Sequence, residues 1–136
     1  MDCLFCKIVK GEIPSEKIYE DEFAFAFLDI NPLADGHTVI VPKIHAENII
    51  DLPENQIGPL FLGVKKVTEA INSALKPHGF TIGINHGKVS GQVIDHLHVH
   101  VIPRFEGDGG GSIHSVVKTP PRESIRVIKE KIIKFI

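Results

Sequence analysis

Cysteine is scarce in this chain: two in 136 residues, Cys3 and Cys6, set close together. That excludes a secreted disulfide framework. An excess of charge of one sign is missing too. Fifteen basic residues face 17 acidic ones for a formal net charge of −2, and no basic patch gathers along the chain, which argues against a nucleic-acid partner. No apolar run approaches membrane-spanning length. The opening "MDCLFCKIVKGEIP" lacks the charged-then-apolar layout of a signal peptide, so a soluble, cytoplasmic protein is expected. No internal repeat occurs, and "EGDGGGS" at 106–112 is the one low-complexity tract. What remains is an ordinary globular composition, 43% hydrophobic and 24% charged. A chain of this length is expected to form a single domain, 1–136, that buries roughly 70% of its unfolded surface.

Periodicity outlines an α+β arrangement. A short helix is expected near 3–10, stopped by Gly11, followed by extended pieces at 17–19, 22–28 and 37–42. A helix over 59–75 presents Leu60, Val64, Val67, Ile71, Ala74 and Leu75 on one face. Asp51 and Glu54 have capping-box spacing, but Pro59 is expected to limit how far upstream a straight helix extends. "KPHG" ends that helix, and "FTIGIN" at 80–85 reads as the next strand. After the Gly-rich linker, a last helix is expected from about 121 to 136, started by Thr119-Pro120, with Ile125, Ile128, Ile132 and Ile133 at helical spacing.

The most informative stretch is "DHLHVHVIPR", 95–104, in which His96, His98 and His100 occupy alternate positions. Side chains two apart on a strand share a face. A strand here buries Leu97, Val99 and Val101 on one side and displays the three imidazoles on the other, and Pro103 marks its end. With 8 histidines in 136 residues, such a row arises by chance with a probability of roughly 0.03.

A three-histidine metal hydrolase is the first functional rival. Residues i and i+4 of a strand lie roughly 13 Å apart, while Zn–N bonds are only about 2.0–2.1 Å. One ion therefore takes two neighbours of the row at most. "CLFC" supplies half of a zinc site, with His45 and one histidine of the row as candidate further ligands; the alternative is a pair of partly buried structural cysteines. A thioredoxin-type reading lacks the strand it needs before the motif. Beside the row, "NHGKVSGQ", 85–92, combines Gly87, Gly91 and the amide of Gln92 in a turn suited to an anion. With the imidazoles, it suggests nucleophilic attack on phosphorus by a neutral ring, through a covalent phosphohistidine-type intermediate.

These residues resemble a known family. "HLHVHVI" fits the histidine triad (HIT) signature, and the likeness extends through "SGQVIDHLHVHVIPR", "GHTVIVPKIH" and "CLFCKIVKGEIPSEKIYEDEFAFAFLDINP", a core of about 3–104. The resemblance is to the branch shared by nucleoside phosphoramidases and prokaryotic HIT hydrolases. It implies a five-stranded antiparallel sheet with a long central helix, dimerising into a ten-stranded sheet. It implies hydrolysis or transfer of a nucleotidyl group at the α-phosphate of AMP or GMP derivatives. His98 would be the nucleophile, the His96 carbonyl would hold its ring, and His100 would contact a phosphate oxygen. Asn85, Gln92, Gly91 and Val93 fall at phosphate-loop positions, Asp29 at the ribose position, and Phe5, Ile8, Phe27 and Ile30 around the base. Similar proteins with this C-x-x-C hold a structural zinc, which implies Cys3, Cys6, His45 and His96 as ligands.

Blander readings stand beside these roles: core for Phe5, Ile8, Phe27 and Ile30, a turn former for Asp29, a strand end for Asn85. His37, His78, His86 and His114 receive no role. Val93 departs from the family pattern, which often has serine there to protonate an amine leaving group. That leans toward a dinucleoside polyphosphate hydrolase as the alternative within the class. A non-catalytic nucleotide-binding adaptor and a plain zinc-binding structural domain are the alternatives outside it. The Gly-rich tail is expected either to order over substrate or to stay a flexible flap.

Overall fold

The computed structural model describes residues 2–136. Five strands form one sheet: β1 (Lys17–Glu20), β2 (Ala24–Leu28), β3 (Thr38–Pro42), β4 (Gly79–Gly83) and β5 (Val99–Arg104). Their order is β1-β2-β3-β5-β4, and every neighbouring pair is antiparallel. Helix α1 (Leu4–Val9) covers one face, and α2 (Glu54–Leu75) covers the other. Helix α3 (Ile125–Ile132) follows the sheet. Among the described residues no helix is long and apolar enough to cross a membrane.

Both faces being covered explains why β2 and, beyond Thr38, β3 are apolar on both sides. In β2, Ala24 and Ala26 point to α2 while Phe25 and Phe27 point to α1. The alanines are small for a reason: a Cβ on Gly63 of α2 would lie 3.0 Å from that of Ala24. The helix thus approaches β2 as closely as its backbone allows. Leu60, Val64, Val67 and Ile71 fill this layer with Ile40, Leu97, Val99 and Val101. Each such side chain contributes about 1.5–3 kcal/mol on burial.

Several expectations need correction. Helix α2 begins at Glu54, passing through Pro59. The missing Pro59 N–H affects only a bond to the carbonyl of exposed Asn55, which water can satisfy near the helix start. No capping box forms; Pro53 is the N-cap and makes no side-chain bond. The last helix starts at Ile125, later than Thr119-Pro120 suggested, because Ser124 Oγ accepts from the Val127 N–H at 3.2 Å. Its isoleucines are exposed and do not pack on the sheet.

The histidine row is strand only from Val99 onward. His96 and His98 lie in a lead-in that is pinned by Leu97 N–H donating to the Ala46 carbonyl at 2.7 Å. Leu97, Val99 and Val101 do face the core under α2, but the imidazoles of His96 and His98 are buried as well. The Gly-rich segment is also more ordered than a free flap. Arg104 donates to both oxygens of Asp108 (2.7 and 3.0 Å), to Thr81 Oγ1 (3.0 Å) and to the Gly111 carbonyl (2.6 Å). Asp108 in turn accepts from the Phe105 and Gly110 N–H groups. That fold-back holds its carboxyl far below the usual carboxylate range, chiefly through Arg104.

Candidate active site and metal centre

His98 and His100 emerge on the α1 face of the sheet, because the pleat sends Val99 and Val101 the other way. His98 Nδ1 lies 2.7 Å from the carbonyl oxygen of His96. A carbonyl only accepts, so Nδ1 carries the proton, and a neutral ring then leaves Nε2 with its lone pair. The ring stands edge-on to Phe5, with centroids 5.1 Å apart, and 5.1 Å from the His100 ring.

His100 is held from behind. Leu33 N–H donates to His37 Nδ1 at 3.1 Å, so the His37 proton sits on Nε2. That Nε2–H donates to His100 Nδ1 at 2.9 Å, which leaves the His100 proton on its own Nε2. Asp29 Oδ2 lies 3.6 Å from His37 Nε2. Burial pushes the His100 pKa down to about 4, reinforced by His98 and His37, and burial lowers His37 too. Both rings are therefore neutral at pH 7, in agreement with the tautomers that the hydrogen bonds dictate. The two rings side by side present a bare nitrogen on His98 and an N–H donor on His100. Sequence reasoning left His37 without a role; only its pairing across β3 and β5 reveals one.

A cleft of about 490 Å³ opens in front of these rings. It brings together Phe5, Ile8, Phe27, Ile30, Asp29, Asn85, Gly91, Val93, His98 and His100. Phe5, Ile8 and Phe27 are both core and wall: each is at most 8% exposed yet lines the cleft. Ile30 and Val93 form its open lip. Asp29 is likewise a turn former and a wall residue, since its Oδ1 accepts from Asn31 N–H at 2.8 Å. Leu4, Ile13, Pro14, Ser15, Asn31, Val39 and Ile94 also line the cleft, and no sequence motif singled them out.

Gln92 is placed differently from expectation. Its side chain is buried, its Nε2 donates to the carbonyls of Glu47 (2.7 Å) and Ile94 (3.1 Å), and its Oε1 accepts from Gly87 N–H (2.8 Å). Both amide protons are committed to backbone, so this residue shapes the loop and has none to spare for a phosphate. Gly91 adopts φ +100°, a turn conformation that an L side chain resists.

Behind the cleft, Cys3, Cys6, His45 and His96 converge, with their ligand atoms all within 4.8 Å of one another. Cys3 Sγ lies 3.4 Å and Cys6 Sγ 3.6 Å from His96 Nδ1, and Cys6 Sγ lies 3.4 Å from His45 Nδ1. A tetrahedral zinc with Zn–S of about 2.3 Å and Zn–N of about 2.05 Å requires S···N separations of about 3.6 Å. The donor set fits. His96 Nε2–H donates to the Pro42 carbonyl at 2.9 Å, which turns a bare Nδ1 toward the sulfurs, the arrangement expected around a ligating histidine. Burial and the neighbouring Cys3 push the Cys6 thiol up, a tendency that a bound cation reverses.

Comparison with known proteins follows the same lines. The family model of the HIT domain matches residues 10–107. The chain is 36% identical over 132 residues to adenosine 5'-monophosphoramidase hnt1 of Schizosaccharomyces pombe, covering 97% of this chain and 96% of that one. A crystal structure of a HIT family member from Bacillus subtilis superposes with a TM-score of 0.89 at 38% identity, covering 100% of this chain and 98% of the other. A zinc-bound histidine triad family protein from Mycobacterium smegmatis gives a TM-score of 0.75 at 34% identity, covering 90% and 85%.

Proposed function

The chain belongs to the HIT domain family, and we propose that it is a nucleotidyl hydrolase that cleaves at the α-phosphate of purine nucleotide derivatives through a covalent intermediate on His98. The observation that carries this reading is the 2.7 Å bond from His98 Nδ1 to the His96 carbonyl, inside a cleft that can hold a nucleotide. His98 Nε2 attacks phosphorus, a P–N bond forms, and the bond to the leaving group breaks. Water then attacks the same phosphorus and releases the nucleoside monophosphate and the free imidazole. His100 Nε2–H and Asn85 offset charge on the phosphate oxygens, Asp29 receives the ribose hydroxyls, and Phe5, Ile8, Phe27 and Ile30 enclose the base.

The leaving group is the finer question. No lysine or arginine occurs among the described residues lining the cleft, so a polyphosphate leaving group finds no cation there. An amine or another leaving group of low charge suits it better. This weighs against the dinucleoside polyphosphate alternative to which Val93 leaned. The S. pombe relative's name points the same way. Val93 supplies no proton, so an amine leaving group takes its proton from solvent or departs already protonated.

Cys3, Cys6, His45 and His96 would hold a zinc ion, which would cross-link the N-terminal segment to the sheet and, with four protein ligands, would leave no position open for substrate. A homodimer is proposed from the exposed edge of the sheet at β4, with Ile82, and from Phe61 and Leu62 exposed on α2. The experiment is turnover of adenosine phosphoramidate and of a diadenosine polyphosphate by wild type and His98→Ala. Faster phosphoramidate cleavage that His98→Ala abolishes supports the reading. Faster polyphosphate cleavage favours the alternative, and AMP binding without any turnover favours an adaptor.

A further inference from the structure

His96 belongs to two sites at once. Its ring sits among the metal-ligating groups, while its carbonyl oxygen holds the proton of His98. The ring is fixed at both nitrogens, by the sulfurs of Cys3 and Cys6 on one side and by the Pro42 carbonyl on the other, and His96 is fully buried.

The peptide plane between His96 and Leu97 is fixed at both ends as well. Its carbonyl faces His98 Nδ1 at 2.7 Å, and its N–H donates to the Ala46 carbonyl at 2.7 Å. Ala46 is the residue after His45, whose ring meets Cys6 in the same cluster. The cluster therefore clamps the two segments, 45–46 and 96–97, that together aim this one carbonyl. A carbonyl that rotates away no longer holds the proton on Nδ1, and a proton that moves to Nε2 occupies the lone pair required for attack.

We propose that Cys3, Cys6 and His45 are positioning residues for the nucleophile: by clamping the His96–Leu97 peptide they select the His98 tautomer that presents a bare Nε2. The inference rests on the reading of His98 as nucleophile. It makes the cluster more than a staple for the fold, because its state, metal-loaded or broken, sets the fraction of enzyme competent to attack.

The test is the long-range ¹H–¹⁵N imidazole spectrum of histidine-labelled protein, with His98 assigned by its loss in His98→Ala. Wild type is compared as isolated and after chelation, alongside Cys6→Ser, His45→Ala and Cys6→His, the last of which retains a metal ligand. The expected result is a single Nδ1–H tautomer for His98 in wild type and a mixture in Cys6→Ser and His45→Ala. With it goes a kcat loss of about tenfold, as for one lost hydrogen bond, while KM stays within about twofold. Cys6→His restores the single tautomer. Chelated wild type keeps the native chain and gives the answer if a variant fails to fold. An unchanged His98 pattern, with metal analysis and thiol titration proving the cluster broken, overturns the proposal. Adduct formation measured on the same wild-type sample reports separately on the nucleophile, and metal content reports separately on zinc.

Discussion

Replacing Gln92 with leucine keeps a side chain of similar size in the loop before the histidine row but removes three hydrogen bonds. Gly87 N–H loses its acceptor, and the carbonyls of Glu47 and Ile94 lose their donors. Each such bond contributes about 0.5–1.5 kcal/mol net. With the side chain 8% exposed, water replaces these partners poorly. Gln92→Leu is therefore expected to cost about 2–4 kcal/mol, against a total stability for a chain of this size of about 7–20 kcal/mol. Gln92→Glu is expected to be worse at neutral pH. Its carboxylate can still accept from Gly87 but faces two carbonyl oxygens with no proton to donate, and acidification partly relieves this. Urea unfolding of the three proteins gives the stabilities, and hydrogen exchange at the Gly87 amide reports the loop directly. If Gln92→Leu keeps wild-type stability and Gly87 protection while KM for a nucleotide substrate rises tenfold, the amide is a phosphate donor and the reasoning is refuted.

Three further outcomes are expected. His100 stays neutral down to about pH 4 when folded but takes a proton near 6.5 when unfolded. The unfolded state then binds more protons in that window, so stability falls as pH drops through it, by at most about 3 kcal/mol. Urea titrations at pH 7.5 and 5.0 check this against His100→Asn, whose slope should be shallower; identical slopes contradict it. His37→Leu removes the donor to His100 Nδ1 and should lower kcat/KM about tenfold, measured on adenosine phosphoramidate; unchanged kinetics would leave His37 a purely structural residue. Asp108→Ala breaks an exposed clasp and should leave global stability nearly unchanged. It should nevertheless speed proteolysis between 105 and 111, and equal cleavage rates would show that the clasp does not hold that segment.

What could be read in advance depended on whether the signal was local. The alternation of His96, His98 and His100 with Leu97, Val99 and Val101 carries its meaning within six residues, and the core-facing side came out as read. Cys3 and Cys6 are legible by spacing, and His45 and one histidine of the row stand as candidate partners, but only the family resemblance singles out His96 within the row. The role of His37 is illegible: it stands in "GHTVIVPKIH" with nothing local to assign it, and its partner is 63 residues away, brought close by the register of Val39 with His100. Gln92 was misplaced because an amide near a glycine turn suits an anion or a backbone carbonyl equally well, and only the loop's closure chooses. Pro59 does not stop α2 because it stands close to the helix start, where its missing N–H leaves one carbonyl, that of exposed Asn55, without its bond. The isoleucines of α3 have helical spacing but remain exposed, with no groove among the described residues receiving them, so periodicity predicts the helix and not its packing.

The central claim concerns one atom, Nε2 of His98, and mapping the trapped intermediate reaches it most directly. Enzyme mixed with adenosine phosphoramidate, quenched in alkali and digested with trypsin, is expected to yield the 89–104 peptide carrying an adenylyl group on His98, labile to acid as a P–N bond should be. An adenylyl group on His100 or on any other residue, or turnover at full rate with His98 never modified, contradicts the account.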